Sequence, residues 1–530
     1  MKEEFAPLNP PHVLFYNCGP TVYDYFHLGN ARNFVVADII RRHLEYRGYK
    51  VRFVQNITDI DDKIIKRSNE EGIPASEVAE KYTKVFFEQC RALGIRRADL
   101  YPKATENIPQ MHDLIKKLID KGHAYVLDGD VYFSVRSFPT YGQLSGRNID
   151  ELLEGARVEV DERKRDPLDF ALWKSAKPGE PAWDSPWGQG RPGWHIECSA
   201  MSLAHLGESI DIHSGGTDLI FPHHENERAQ SEAATGKTFV KYWVHNGFLN
   251  INTQKMSKSL GNFFTIDQVL AHYDPLTVKF FLLSAHYRHP LDYNEENMEN
   301  ARNSSRRILD ALDTVDKLLS AYVRTSADLR AFPPSEDLRR TFGESVEFTS
   351  AFDKASANLR ETEAQEDIKE KWVQFRRLYE DAMDDDFNTA RALSTLHDIV
   401  TEIHEVRKSI GNSSEDSAYV RASADLRDEQ KRPLRLRRMD EKRGIFAGLK
   451  LYRNILLEFL HLLGLDPALA ERGAGAEGEV MERLMQILID VRQMARENKE
   501  FKIADAIRDR LSTMGISLED HPQGTIWKRK

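Results

Sequence analysis

HVLFYNCGPTVYDYFHLGNARNFVVADIIRRHLEYRGYKVRFVQN, residues 12–56, is the stretch that decides the fold. HVLFYNC is a short apolar run rich in aromatic and branched residues, which predicts a strand, and Gly19-Pro20 breaks it. From Asn30 onward, Phe34, Ala37, Ile40 and Leu44 fall close to one helical face, and Gly48 follows as a C-terminal stop. KVRFVQN then alternates as a second strand. A strand, a crossover helix and a parallel strand begin a doubly wound α/β sheet, and such sheets gather ligands at the carboxyl ends of their strands.

The rest of the 530 residues bounds the answer without naming a partner. Hydrophobic residues make up 41% and charged residues 30%, an ordinary globular balance with material for about three or four domains. No run approaches the ~20 apolar residues of a membrane helix. The N-terminus MKEEFAPLNPPHVLF is acidic and lacks a basic-then-apolar signal pattern. The three cysteines, Cys18, Cys90 and Cys198, are too few and too odd in number for a disulfide framework, which points to a reducing, cytoplasmic setting. A net charge of −10 argues against non-specific binding to nucleic acid through overall charge but leaves local recognition open.

Further along, residues 103–190 change character. HAYVLDGDVYFSV offers short aromatic strands, and AKPGEPAWDSPWGQGRPG is a loop by its turn chemistry. The sheet pattern resumes near GESIDIHSGG, so 103–190 reads as an insertion between two halves of one domain. From about 295 the pattern is mostly helical, with two variable stretches at about 325–370 and 410–443. The second holds RDEQKRPLRLRRMDEKR, with eight basic and four acidic residues, read as a solvated charged linker in preference to an RNA-touching arm. AYVRTSADLR at 321–330 recurs as AYVRASADLR at 418–427, with the fragment SANLR at 356–360; no physical account of this repeat follows from the sequence.

Two motifs carry phosphate chemistry. His27-Leu28-Gly29-Asn30 lies between the first strand and the start of its helix, where backbone amides and the helix dipole favour anions. Taken alone, these residues read more simply as a helix-capping histidine and a turn glycine. Lys255-Met256-Ser257-Lys258-Ser259 follows the strand-like HNGFLNINTQ. Two lysines three apart on a polar loop can close on a triphosphate and stabilise charge at the α-phosphate.

A metal constellation is weaker on spacing. In PHHENE, His223 and Glu227 are four apart, and His224 competes with His223 at three apart. Cys18 ends the first strand and Cys198 follows GWHIE; neither has finger-type spacing, and isolated buried thiols are usually inert.

HLGN followed by KMSKS, each after a strand, is the paired signature of class I aminoacyl-tRNA synthetases. FYNCGPTVYDYFHLGNAR, NITDIDDKII, GWHIECSAM, DIHSGGTDLIFPHHENERAQSEA and KMSKSLGN closely resemble the cysteinyl-tRNA synthetase family, across about 12–295 and again at the C-terminus. Asn30 stands where that family's motif usually has a second histidine. The resemblance implies a ligase that activates L-cysteine with Mg2+-bound ATP and passes it to tRNA(Cys). It implies catalytic roles for His27, Lys255 and Lys258, and ATP contacts from these with Gly29, Asn30, Gly215, Gly216 and Asp218. It also implies cysteine contacts from Thr58 and Trp194, and one zinc ion per chain on Cys18, Cys198, His223 and Glu227. His224 then supports the site from outside the ligand set. Zinc prefers thiolate to hydroxyl, so selection against serine needs no editing domain. It does need a fifth position for the substrate sulfur, with Glu227 as a weak or movable ligand.

The implied organisation is a Rossmann-like catalytic domain in halves 1–102 and 191–248, interrupted by a connective insertion 103–190. A region with the lysine motif and stem contacts spans 249–300, a helical bundle with variable insertions 301–465, and an anticodon-binding domain 466–530. In that last domain Arg496, Asp505, Asp520 and Trp527 match anticodon positions, and the chain is expected to be a monomer. Two rivals share parts of this pattern: a ligase joining cysteine to an amino-sugar, which should lack the C-terminal domain, and a silent zinc-stabilised RNA-binding paralogue.

Overall fold

His12–Asn17 forms strand β1, Leu28–Tyr46 helix α1 and Lys50–Gln55 strand β2. β1 and β2 pair in parallel from His12 opposite Lys50 to Asn17 opposite Gln55, as the opening run predicts. The computed structural model describes residues 3–148, 163–251, 254–255, 263–325, 363–411 and 432–472, parts of 488–511, and 516–521 with 524–529. Helix α1 is more deeply enclosed than its predicted apolar face suggests. Val36, Ala37, Ile40 and Leu44 pack on the sheet beside Phe15 and Phe53. Leu28, Ala31, Phe34, Val35 and Ile39 join a separate core shared with the C-terminal helices. A helix covered on two sides must also bury polar residues, and Arg32, Asp38, Arg42 and His43 are all buried.

After β2, helices α2 (Asp62–Glu71) and α3 (Ala75–Ala92) cover the α1 side, and α4 (Ile108–Asp120) leads into a second sheet. Strands β3 (Ala124–Leu127), β4 (Asp130–Phe133), β5 (Phe170–Ser175) and β6 (Gly190–Pro192) form an antiparallel sheet in the order β3-β4-β5-β6. Its first hairpin turns at Asp128-Gly129, both in the left-handed region at φ 51° and 87°. The end of the stretch read as a loop is thus strand: Gly190–Pro192 has no room for side chains at its first position, where a Cβ would sit 2.3 Å from the Trp173 indole nitrogen.

The chain then returns to the first sheet. Helix α5 (Trp194–Leu206), strand β7 (Ile210–Gly216), helix α6 (Glu225–Thr235) and strand β8 (Val240–Asn246) complete a parallel sheet in the order β2-β1-β7-β8. α4, α5 and α6 share one core with the second sheet, including Met111, Phe133, Trp173 and Met201. A small three-stranded sheet follows: β9 (Leu249–Ile251) lies between antiparallel β10 (Gln254–Lys255) and parallel β11 (Leu291–Tyr293), with helices α7 (Ile266–Leu270) and α8 (Pro275–Leu283) in the connection.

Helices α9 (Glu295–Thr325), α10 (Glu363–Asp384), α11 (Thr389–Gly411) and α12 (Arg432–Leu462) pack as a bundle around Leu312, Tyr379, Leu396, Ile403 and Phe459. Both variable stretches lose their ends to it. Glu363 already begins α10, and RPLRLRRMDEKR begins α12 rather than a linker. Lys, Arg, Glu, Leu and Met are strong helix formers, and Pro433 in the first turn removes an amide that needs no partner there. The first repeat copy opens at the end of α9; 326–330, 356–360 and 418–427 lie outside the described residues. The extended tail is a hairpin of β12 (Ile516–His521) and β13 (Gly524–Arg529). No helix among the described residues is long and apolar enough to cross a membrane.

Candidate metal centre and nucleotide site

Four elements converge at the carboxyl end of the parallel sheet. β1 runs out at Asn17 and presents Cys18; α5 contributes Cys198; the turn before α6 contributes His223; α6 contributes Glu227. One donor atom from each lies within 4.8 Å of every other, and all four residues are buried. His223 precedes the regular helix, because Phe221 at φ −135°, ψ 131° interrupts it and a wide turn carries Ile220–His224. The four-residue spacing still brings His223 Nε2 to 2.9 Å from Glu227 Oε1.

A second set overlaps the first: Cys18, His213, His224 and Glu227 also lie within 4.8 Å. His224 Nε2 is 3.3 Å from Cys18 Sγ, and His213 Nε2 is 2.8 Å from Glu227 Oε2. The further nitrogens are braced in turn: His223 Nδ1 lies 2.9 Å from His195 Nδ1, and His224 Nδ1 2.8 Å from His245 Nε2. His213, in the middle of β7, joins this set although no spacing in the sequence ties it to Glu227. Trp194 stacks on His223 with centroids 4.3 Å apart. Thr58 donates to Glu197 Oε2 at 3.0 Å, one residue before Cys198.

The electrostatics are those of a crowded donor set. The hydrogen bond with Cys18 draws Cys198 down to about 6, against burial. Burial, with the neighbouring Cys198 and Glu227, pushes Cys18 well up, so the pair shares one proton with the thiolate on Cys198. Burial opposes the charge on Glu227, but His213 and His223 outweigh it and hold the carboxyl well below its usual range. His223 overcomes its own burial through Glu227 and Cys198 and is raised to about 10. Burial keeps His195 and His224 neutral. A buried carboxylate and thiolate, with the His223 imidazole giving up its proton to make way for the ion, form a set that could hold a soft divalent metal.

The first phosphate motif is a helix cap. Asn30 N–H donates to His27 Nδ1 at 3.2 Å and His27 N–H donates to Asn30 Oδ1 at 3.3 Å, a reciprocal box that fixes the start of α1. An accepting Nδ1 leaves the neutral ring's proton on Nε2, a donor suited to a phosphate oxygen. The simple reading and the phosphate reading of HLGN are therefore compatible. Leu28 N–H donates to Phe264 O at 3.1 Å and Ile266 N–H to Phe26 O at 3.0 Å. The residues just past the lysine motif are thus pinned to this turn. Lys255 ends β10; Lys258 lies outside the described residues.

Gly215 and Gly216 end β7, and both are tight: a Cβ would stand 2.7 Å from His224 Cε1 at the first and 2.2 Å from Asp218 Oδ1 at the second. Arg496 and Asp505 are exposed residues of the C-terminal helical segment. Asp520 pairs with Thr525 and Trp527 with Leu518 across the terminal hairpin.

Residues 4–303 match a family model described as the tRNA synthetases class I (C) catalytic domain, and 378–431 match a DALR domain. The chain is 46% identical to a cysteine--tRNA ligase of Desulforamulus reducens over 100% of its own length and 98% of that protein. It is 44% identical to a cysteine--tRNA ligase of Thermococcus onnurineus, covering 100% and 97%. In fold it is similar to Mycobacterium tuberculosis methionyl-tRNA synthetase in complex with methionyl-adenylate, with a TM-score of 0.59 at 14% identity over 87% of this chain and 93% of that one. With a buried donor set and a capped HLGN turn at the carboxyl end of one parallel sheet, the chain belongs to the cysteine--tRNA ligase family of class I tRNA synthetases.

Proposed function

We propose that this chain activates L-cysteine with Mg2+-ATP, forming cysteinyl-adenylate and pyrophosphate, and transfers the cysteinyl group to tRNA(Cys). The observation that carries the reading is the convergence of Cys18, Cys198, His223 and Glu227 beside the turn that starts α1. No protein nucleophile is needed; positioning and charge stabilisation supply the rate. His27 donates to phosphate, Gly29 and Asn30 shape the turn, and Lys255 and Lys258 close on the triphosphate. Gly215, Gly216 and Asp218 line the adenosine side. Thr58 and Trp194 flank the amino acid. Arg496, Asp505, Asp520 and Trp527 read the anticodon. The proposed domain limits are those implied by the family resemblance, with the insertion extended to Pro192, where its last strand ends.

The donor set fits zinc: two thiols, one imidazole nitrogen and one carboxylate oxygen, buried and already favouring a thiolate. When bound, zinc supplies affinity for the substrate thiolate and little for a serine hydroxyl. His213 and His223 hold one oxygen of Glu227 each, so the carboxylate can yield one position and keep a partner.

Cysteine-dependent ATP–pyrophosphate exchange, followed by charging of tRNA(Cys), tests the proposal. Exchange with cysteine and none with serine is expected. Equal rates with both, or exchange without charging, would refute it. End-to-end matching to tRNA ligases disfavours an amino-sugar acceptor.

A further inference from the structure

We infer that Asp386, in the turn between α10 and α11, is a positioning residue for the β9–β10 hairpin that carries Lys255. The inference rests on the proposed role of Lys255 toward ATP. Asp386 and Phe387 both stand in the left-handed region, at φ 62° and 53°, and neither is glycine. Such a pair persists only where its surroundings hold it.

The surroundings are specific. Asp386 accepts from Arg288 through both carboxylate oxygens, Nε to Oδ2 at 2.5 Å and Nη2 to Oδ1 at 2.9 Å, and from Tyr287 Oη at 2.8 Å. His286 Nε2 lies 3.7 Å from the same carboxylate. On either side, Asp384 meets His43 at 2.8 Å and Thr389 Oγ1 donates to Leu283 O at 2.9 Å. The turn is clamped to the loop after α8 and to the end of α1.

That loop leads directly to the hairpin. Leu291 begins β11 three residues after Arg288, and β11 pairs with β9, whose other neighbour is β10 with Lys255. Arg32, five residues after His27, closes the circuit from below. Its Nη1 donates to Gly247 O and Phe248 O at 2.9 and 3.1 Å, and its Nη2 to His286 O and His289 O at 3.3 and 2.7 Å. One buried guanidinium therefore joins the HLGN helix, the entry to β9 and the loop that Asp386 holds. The bundle sets the height of the lysine hairpin over the phosphate turn through these contacts.

The test compares full-length wild type with Asp386→Asn, which keeps the shape and removes the charge. Native-state hydrogen exchange should rise about tenfold at Leu249–Ile251 and Leu291–Tyr293, the size of losing one charge-assisted hydrogen bond, with β1 and β2 unchanged. In pyrophosphate exchange, the KM for ATP should rise while the KM for cysteine and the zinc content stay at wild-type values. Unchanged exchange in the hairpin, or an equal rise throughout the protein, overturns the inference. If Asp386→Asn fails to fold, Tyr287→Phe should give a smaller rise at the same amides, and a flat profile there overturns it equally. Wild type without cysteine-dependent exchange would overturn the ATP role alone, since the hydrogen-exchange arm reads the contact independently.

Discussion

Two buried polar assemblies lie near the same sheet and helix, one at the carboxyl end of the strands and one on the bundle-facing side of α1. In the first, Cys18, Cys198, His223 and Glu227 press thiols and a carboxylate together. In the second, Asp38 on α1 accepts from Arg42 at 2.9 Å and Arg96 at 3.0 Å, with Lys279 of α8 nearby. Lys279 Nζ donates to Gly464 O at 2.5 Å, and Arg42 donates to His461 O at 3.0 Å. Both are largely buried, and their charge balance separates them. The first has a surplus of anionic donors aimed at one point, which a cation could answer. In the second, the cations surround Asp38, and Arg42 and Lys279 turn further donors to carbonyls while Arg96 turns one to Glu45, so the protein's own groups answer the charge. Burial of charge marks a binding site only where its own side chains leave the charge unanswered.

Breaking each assembly should therefore give different losses. The largest effect is expected from Cys198→Ala, which should abolish stoichiometric zinc and lower cysteine-dependent exchange by more than about a hundredfold, since disturbing even the outer partners of a metal site costs 10–100-fold. Metal analysis beside the exchange assay checks it, and an active, zinc-loaded variant would erase the contrast. Next, Asp38→Ala leaves the guanidiniums of Arg42 and Arg96 without their shared carboxylate and should cost about 3–5 kcal/mol in urea unfolding, with zinc retained in the folded fraction.

The third prediction concerns pH. Burial, outweighing the attraction of Asp38, pushes Lys279 down to about 7. The unfolded chain holds this proton up to about pH 10.4, so between about 7 and 10 it binds more protons than the folded chain. Stability contributed through Lys279 should then rise with pH across that window, by up to about 1.4 kcal/mol per unit. Lys279→Met should flatten the slope; parallel wild-type and variant curves would show that Lys279 stays charged when folded. The smallest effect is the control: Lys66 and Glu70 lie 3.9 Å apart with side chains 79% and 52% exposed, and Lys66→Ala should leave the urea midpoint unmoved.

The two assemblies also differed in legibility. The first strand–helix–strand unit could be read from residues 12–56, and the four residues that converge here, Cys18, Cys198, His223 and Glu227, only once the motifs suggested a family. His213 was missed because a histidine in a strand says nothing about the helix that will cross it. Lys279 was missed for a related reason: PLTVKFFLL shows one cation in an apolar helix, and solvent exposure is its usual fate. All nine residues of α8 are in fact buried. Arg32 looked like one more polar residue on α1 until four carbonyls closed on it. The left-handed pair Asp386-Phe387 carries no glycine, so turn chemistry gave no warning. What is local in the chain, such as the capping histidine His27, could be read; what depends on a contact hundreds of residues away could not.

The reach of α1 has a consequence for how the protein is made. Arg42 bonds a carbonyl 419 residues further on, and His43 a carboxylate 341 residues on. At translation rates of about 5–20 residues per second, the bundle-facing side of α1 waits roughly 20–80 s for its cover to leave the ribosome. During that interval the part of α1 around Ile39 and Arg42 lacks its cover at Gly464, and a nascent chain stalled before residue 460 carries an unfinished core.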